Sequence, residues 1–404
     1  MSNIDNIAKK ISEELHTAEV LLEATKITIH FRDREQEVAN LLRAIPNRTG
    51  IKAIYGPYGA GKSTLLRLLV NEVRNVEELS DYVFIRYGFE ERLIREMQLG
   101  IPGLSEDMHK QLINALSSLT TEVVTRYAAI SLGDVVGSLV DVAKRFVEEH
   151  RLRDKTVVLF FDDVDKYVRD YTALYKVANA IADQIPWLFI EKRISILVFL
   201  TVSDNTAIKA LNRLVSKGGY SPYLLWNLPK EDFEKVVNEV IEKTGGKDNI
   251  DTELLWQLLG GNIRELGTLI NDYDWDVKAW LQNKVINRIK SAIKAHMNAS
   301  AFSSIEEALK WLIKKGNIAA RDYGLGEFTG QSDAVEGVLG LLEENVMIDI
   351  NPPGIKHLSK LPNEPWMGRN HAYQIPAYYW ALRAMIEKGT TNVKPDDILS
   401  IIKT

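Results

Sequence analysis

The residues best placed to do chemistry form one run, Gly56-Pro57-Tyr58-Gly59-Ala60-Gly61-Lys62-Ser63, followed by Thr64. Glycine, four residues, glycine, lysine and serine is the spacing of a phosphate-binding loop. An apolar run, IKAIY, precedes it and a helical pattern, TLLRLLVNEV, follows it. Phosphate oxygens need several converging N–H donors with no side chains in the way. Glycines let the backbone wrap, and the following helix adds the positive end of its dipole. On this reading Gly56 to Thr64 cradle a nucleoside triphosphate, Lys62 neutralises its β- and γ-phosphates, and the Ser63 hydroxyl ligates Mg2+.

A metal held this way needs a carboxylate, and the apolar run Thr156 to Phe161 leads into two, Asp162 and Asp163. Asp162 is the expected Mg2+ ligand, through water, because ligands gather at the C-terminal edge of open parallel sheets. Asp163 is the candidate for polarising the attacking water. Asp165-Lys166 reads as a charge pair at a helix start. The next apolar run, Ile194 to Val202, ends in Thr201, Ser203, Asp204 and Asn205. Thr201 and Ser203 both stand as candidates for sensing the γ-phosphate or positioning water, with a plain loop cap as the alternative. No Asn-Lys-x-Asp element of the kind that reads guanine is present, which favours ATP.

These residues must be carried by an α/β fold. From Lys52 to about residue 205, short apolar runs alternate with helical patterns, which argues for a parallel sheet covered on both faces. IKAIYG, DYVFIRYGF, TVVLFFDD and ISILVFLTVSD are the expected strands. The stretch from Glu91 to His150 reads as a helical insertion, and the region before residue 46 as helices around FRDREQEVANLLRAI. Residues 229–300 read as a helical lid with breaks at Gly245-Gly246 and Gly260-Gly261. A last unit, 301–404, opens with a capping box, Ser304 and Glu307. It continues as helix, strand VMIDI, long loop, extended AYQIP and a closing helix, an order that suggests a winged helix. The expected organisation is a P-loop ATPase domain over 1–228, the lid over 229–300 and the winged-helix-like domain over 301–404.

Composition narrows the setting. The chain has 404 residues, with 50 Lys and Arg against 55 Asp and Glu, so no global basic field draws it to a polyanion. It has no cysteine, which excludes disulfides and thiolate chemistry. Its apolar runs are too short to span a membrane and its start is not signal-like, so a cytoplasmic protein is expected.

With the lid run Gly260-Gly261-Asn262-Ile263-Arg264-Glu265-Leu266 added, most of residues 27 to 270 resembles the archaeal AAA+-type ATPases related to origin-recognition initiators. The resemblance implies that Arg264 lies over the γ-phosphate, so that lid angle follows nucleotide state. It also implies that Arg213, in the run Ala210 to Ser216, reaches the nucleotide of a neighbouring subunit, hence self-association. Phe31-Arg32-Asp33-Arg34-Glu35 resembles the entry motif that packs against the base, and a salt-bridged helix start accounts for it equally. One departure is Asp163, where that family usually has Glu. Asp-Asp-x-Asp-Lys is also similar to the KAP family, and its Asp pair to the STAND signalling NTPases.

Two partners follow from these alternatives. A winged helix usually reads double-stranded DNA through one helix. Here that helix, Ser332 to Asn345, carries Asp333, Glu336, Glu343 and Glu344 and no base. The loop after it holds Lys356, His357, Lys360, Arg369 and His371 with Trp366, and could contact a phosphate backbone as a wing. The alternative is a signalling or scaffold NTPase whose C-terminal domain holds a protein. The other tryptophans are read as core residues.

Overall fold

The computed structural model describes residues 3–22, 25–32, 34–45, 50–90, 93–127, 132–152, 154–167, 171–214, 220–245, 250–299, 304, 307, 344–368 and 370–402. In chain order the strands are β1 (Glu19–Leu21), β2 (Thr28–His30), β3 (Gly50–Tyr55), β4 (Tyr82–Glu90), β5 (Leu93–Gly100), β6 (Thr156–Asp162), β7 (Ser195–Val202), β8 (Tyr220–Leu224), β9 (Met347–Asp349), β10 (Lys356–His357) and β11 (His371–Tyr373). Seven of them form one sheet in the order β10-β8-β3-β7-β6-β4-β5. All neighbours run parallel except β4 and β5.

Every residue of β6 is buried, as is every residue of β7 after Ser195, the mark of strands covered on both faces. The helices α1 (Asn3–Thr17), α2 (Glu35–Ala44), α3 (Lys62–Glu72), α4 (Glu106–Tyr127), α5 (Leu132–Glu149), α6 (Val164–Tyr167), α7 (Tyr171–Lys192) and α8 (Asn205–Asn212) accompany these strands. Strand β7 lies between β3 and β6, pairing Ile54 with Thr201 on one side and Phe161 with Leu200 on the other. The glycine-rich loop, Asp162 and Thr201 therefore leave the sheet at one edge.

Three expectations need correction. The stretch from residue 91 does not begin as helix. β5 folds back antiparallel on β4, with a bulge at Gly88/Phe89, and only then do α4 and α5 follow. Its apolar residues suit either period, and the open edge of β4, whose backbone groups need partners, decides the outcome. The first region also contains strands, the β1–β2 hairpin between α1 and α2.

The third correction concerns the C-terminal unit. β9 and β11 pair antiparallel, as two extended pieces should. The segment between them is no projecting wing, however, because β10 adds to β8 and so extends the ATPase sheet. Leu358 N–H donates to Leu224 O at 2.8 Å, Trp226 N–H to Ser359 Oγ at 3.3 Å, and Asn40 Nδ2 to Leu358 O at 2.7 Å. Trp366, read as the one tryptophan outside the core, is 1% exposed and packs edge-on to Trp256 at 6.1 Å. Ser304 does cap its turn, accepting from Glu307 N–H at 3.1 Å. Of the acidic helix only Glu344 and Asn345 fall within the described residues, and Arg369 falls outside them.

The lid comprises α9 (Lys230–Thr244), α10 (Thr252–Leu259), α11 (Ile263–Tyr273), α12 (Val277–Trp280), a π-helical turn Leu281–Ile286, and α13 (Asn287–Ala299). The closing helices are α14 (Pro376–Lys388) and α15 (Pro395–Ile402). Among the described residues no helix is long and apolar enough to cross a membrane. Because Trp366 fills a buried site between lid and C-terminal segment, Trp366→Ala is expected to cost about 3 kcal/mol in chemical denaturation. A tryptophan on a solvated wing would cost only a few tenths of that.

Candidate nucleotide site

Gly59 and Gly61 show why the loop needs glycine. Both have φ near +87°, the left-handed region. A Cβ on Gly59 would stand 2.4 Å from Arg264 Cβ and 2.7 Å from Asn262 Oδ1, so the lid packs this closely on the loop only because the residue is glycine. Gly61 is the N-cap of α3, with open space above it for phosphate oxygens. Lys62 follows as the first helical residue. Its Nζ donates to the carbonyls of Gly56 and Pro57, each at 3.0 Å, and burial brings its pKa down to about 8. An ammonium satisfied by two loop carbonyls is poised to exchange them for phosphate oxygens.

The acids stand opposite. Asp162 is 1% exposed. Its Oδ1 accepts from Thr201 Oγ1 at 2.6 Å and from Ser63 Oγ at 3.1 Å; its Oδ2 accepts from Arg86 Nη2 at 2.5 Å and Nε at 3.0 Å. Thr201 is fully buried and its oxygen also accepts from Asp163 N–H at 2.7 Å, so this hydroxyl fixes the two acids relative to each other. Ser203, its competitor, lines the cleft. Asp163 has φ +58°, which Asp tolerates better than most residues. That turn puts its carboxylate on the cleft, 2.6 Å from Lys166 Nζ.

Asp165 and Lys166 do not form the pair expected of them. Lys166 serves Asp163, while Asp165 turns inward and accepts from the N–H groups of Ser203 and Asp204 at 2.6 and 3.0 Å. Burial pushes the Asp165 carboxyl up to about 6.

The lid completes the cleft. Asn262 caps α11 by accepting from Glu265 N–H, and its Nδ2 donates to Tyr58 O at 2.8 Å. Arg264 stacks its guanidinium 3.8 Å above the Tyr58 ring. Gly59 to Thr64, Asp162, Asp163 and Arg264 all line one cavity of about 520 Å³. Its lining also includes the apolar residues Val20, Ile29, Phe31, Val236 and Ile263, which offer surface suited to a planar base. Arg213 is exposed past the end of α8 and does not line the cleft.

Three residues at the site were not anticipated in these roles. Arg34 donates to Ala60 O at 2.8 Å and to Trp226 O at 3.1 Å, pinning the loop from behind. Gln374, in the C-terminal unit, accepts from Tyr58 N–H at 3.0 Å, and nothing local in the sequence signals it. Arg86 had a signal: it is the lone charge inside the run YVFIRYGF, and a buried cation calls for a buried anion.

The family model described as an ATPase domain predominantly from Archaea matches residues 31–269. No curated protein matches the chain. Among solved structures, the chain is similar to the Aeropyrum pernix ORC2 protein in ADPNP-ADP complexes. Identity there is 14%, covering 93% of this chain and 96% of that one, with a TM-score of 0.37. The ADP form of the same protein gives 12% identity, 98% of both chains and a TM-score of 0.34. The FIGL-1 AAA domain gives 14% identity over 60% of this chain and 69% of that one, with a TM-score of 0.28.

Behind His30 and Arg32, which line the cleft, Glu239 of α9 accepts from His30 N–H and Nδ1, Arg32 Nη2 and Lys243 Nζ, tying the β1–β2 hairpin to the lid. Burial alone would raise its pKa, but these donors outweigh it and hold it at about 2. A folded value below the ordinary 4.5 means that the stabilisation is complete above that pH and is lost as pH falls towards 2. Glu239→Gln is therefore expected to lose about 2 kcal/mol at pH 7. The deficit against wild type should fade across that acid window in denaturation curves.

Proposed function

The chain belongs to the family of ATPase domains found predominantly in Archaea, and from that premise we propose that it is a Mg2+-dependent, AAA+-type ATP switch. In this reading the C-terminal unit senses the phosphate loop from within the molecule. The observation that carries it is the threefold grip on Tyr58. The lid holds its carbonyl through Asn262 and its ring through Arg264, and the C-terminal unit holds its N–H through Gln374. A loop that rearranges around a triphosphate must disturb all three.

The donor set fits a magnesium ion, since Ser63 Oγ and Asp162 Oδ1 face each other at 3.1 Å and hydroxyl and carboxylate oxygens are the hard ligands it prefers. When bound, the ion would neutralise charge on the transferring phosphoryl group. The chain's own contributions are positional. Lys62 moves its ammonium from loop carbonyls to phosphate oxygens, Thr201 keeps the two acids in register, and Asp163 orients the attacking water from the cleft wall. Arg264, above Tyr58, would lie over the γ-phosphate and couple lid angle to its presence. Asp163 is one methylene shorter than Glu and is engaged by Lys166, which favours slow turnover.

A signalling or scaffold role is preferred over DNA binding, because the loop offered as a wing is committed to the ATPase sheet through β10 and Leu358 and to the lid through Trp366. ATP turnover at fixed salt, with and without duplex DNA, tests this. It should be slow, indifferent to DNA and abolished by Lys62→Ala, whereas salt-sensitive stimulation by duplex would restore the DNA-associated reading.

Self-association through the ATPase domain belongs to the same proposal, since Arg213 is exposed and does not line its own cleft. Turnover per chain should rise with protein concentration, and Arg213→Ala should remove that rise while leaving nucleotide affinity intact. A concentration-independent rate in wild type would leave Arg213 a surface residue.

A further inference from the structure

Arg86 is one of several cationic residues that line the cleft, and the reading above gives it no task. Arg86 is 4% exposed on β4, the parallel neighbour of β6, in register with Phe160. From there its side chain reaches the strand end, where Nε and Nη2 both bond Asp162 Oδ2. The third nitrogen, Nη1, bonds Glu96 Oε2 at 2.8 Å and Gln98 Oε1 at 3.2 Å on the antiparallel hairpin partner β5. Glu96 is about half exposed, while Asp162 is sealed. One guanidinium is thus shared between an inner carboxylate and an outer one, and both Arg86 and Glu96 line the nucleotide cleft.

The inner carboxylate is also the one assigned to the metal. A guanidinium and a divalent cation repel each other, and in a water-poor site that repulsion is weakly screened. We propose that Arg86 is a positioning residue that holds Asp162 in the nucleotide-free protein and yields that carboxylate when the metal–nucleotide complex enters, staying in the cleft on Glu96. The inference rests on the reading that Ser63 and Asp162 hold Mg2+. Charge balance favours the exchange. The guanidinium gives up one carboxylate just as a triphosphate brings negative charge into the same cavity, and Glu96 keeps it from swinging out to solvent. Without its ligand, Asp162 never faces its buried site as an unpaired anion, a state that would be strongly destabilising. The Mg2+ requirement of nucleotide binding is then set by competition between two cations for one carboxylate.

The two partners of Arg86 make opposite predictions. The measurement is the Mg2+ concentration that half-saturates binding of a fluorescent, non-hydrolysable ATP analogue to the full chain. Arg86→Gln keeps a hydrogen-bond donor near Asp162 but removes the competing charge, so the half-saturating Mg2+ should fall about tenfold. Glu96→Gln, at a partly exposed edge position that folding tolerates, leaves Arg86 with Asp162 as its carboxylate, so the requirement should rise several-fold. A requirement unchanged or shifted the other way in a folded variant overturns the proposal, and Glu96→Gln decides alone should Arg86→Gln fail to fold. If wild type binds the analogue equally with and without Mg2+, the assignment of Ser63 and Asp162 to the metal is what fails.

Discussion

The cleft depends on one buried carboxylate. Asp162 ends a strand that is buried at every residue, so its charge has left water and must be met inside the protein. Bringing a carboxylate into such a place costs several kcal/mol unless donors surround it. The surrounding elements supply them: Thr201 from β7, Arg86 from β4 and Ser63 from the start of α3. Each of these residues comes from a different segment of the chain. The sheet order, with β7 between β3 and β6, is what allows three such donors to converge on one side chain. The position of the phosphate loop relative to the acids follows from satisfying Asp162.

The C-terminal unit follows the same logic of shared polar groups. Gly56 to Ser63 form a loop whose N–H groups must stay available for phosphate, so other parts of the protein hold it only sparingly. Arg34 takes one carbonyl, that of Ala60; Asn262 takes that of Tyr58; and Gln374 takes a single N–H, also of Tyr58. Asn227 then holds the backbone of Gln374 through its Nδ2 at 3.0 Å and meets Asn262 through its Oδ1 at 3.2 Å. Lid, loop and C-terminal unit thus meet through a short chain of amides. Such a chain transmits a shift in one member to the next, because each amide has few other partners in reach.

The sequence revealed the parts of this site that are local and concealed those that depend on folding. The glycine-rich loop and the acids that end β6 were readable because their pattern lies within a few positions, whereas Arg264 was singled out only by the family resemblance. The four expected strands form for the same reason, their apolar runs being long and β-rich. Strand β10 was not readable: two exposed residues, Lys356 and His357, carry no strand pattern and pair only because β8 offers an open edge. Trp366 was taken for a wing residue because its neighbours are polar, yet Trp256, more than a hundred positions earlier, buries it. Thr201, a candidate for sensing the γ-phosphate or positioning water, bonds both acids, a contact set by the β6–β7 register and not by its own neighbours.

The meeting point of the three units is polar and has room for water, and this bears on how a switch could work. A cavity of about 350 Å³ lies beside the nucleotide cleft, lined by Tyr58, Asp165, Ser203, Asn262, Arg288 and Gln374 among others. Two buried atoms on its wall, Asp165 Oδ1 and Gln374 Nε2, have no protein partner. Left dry, each would cost about 1–3 kcal/mol; in a cavity of this size and polarity water can serve both. A junction solvated in this way gives up little when its members move apart, since water replaces each lost contact. An apolar seam would resist the same displacement by the full cost of exposing its surface. The aromatic contact between Trp256 and Trp366 supplies such a seam on one side of the lid, so displacement there costs more than at the polar junction around Tyr58.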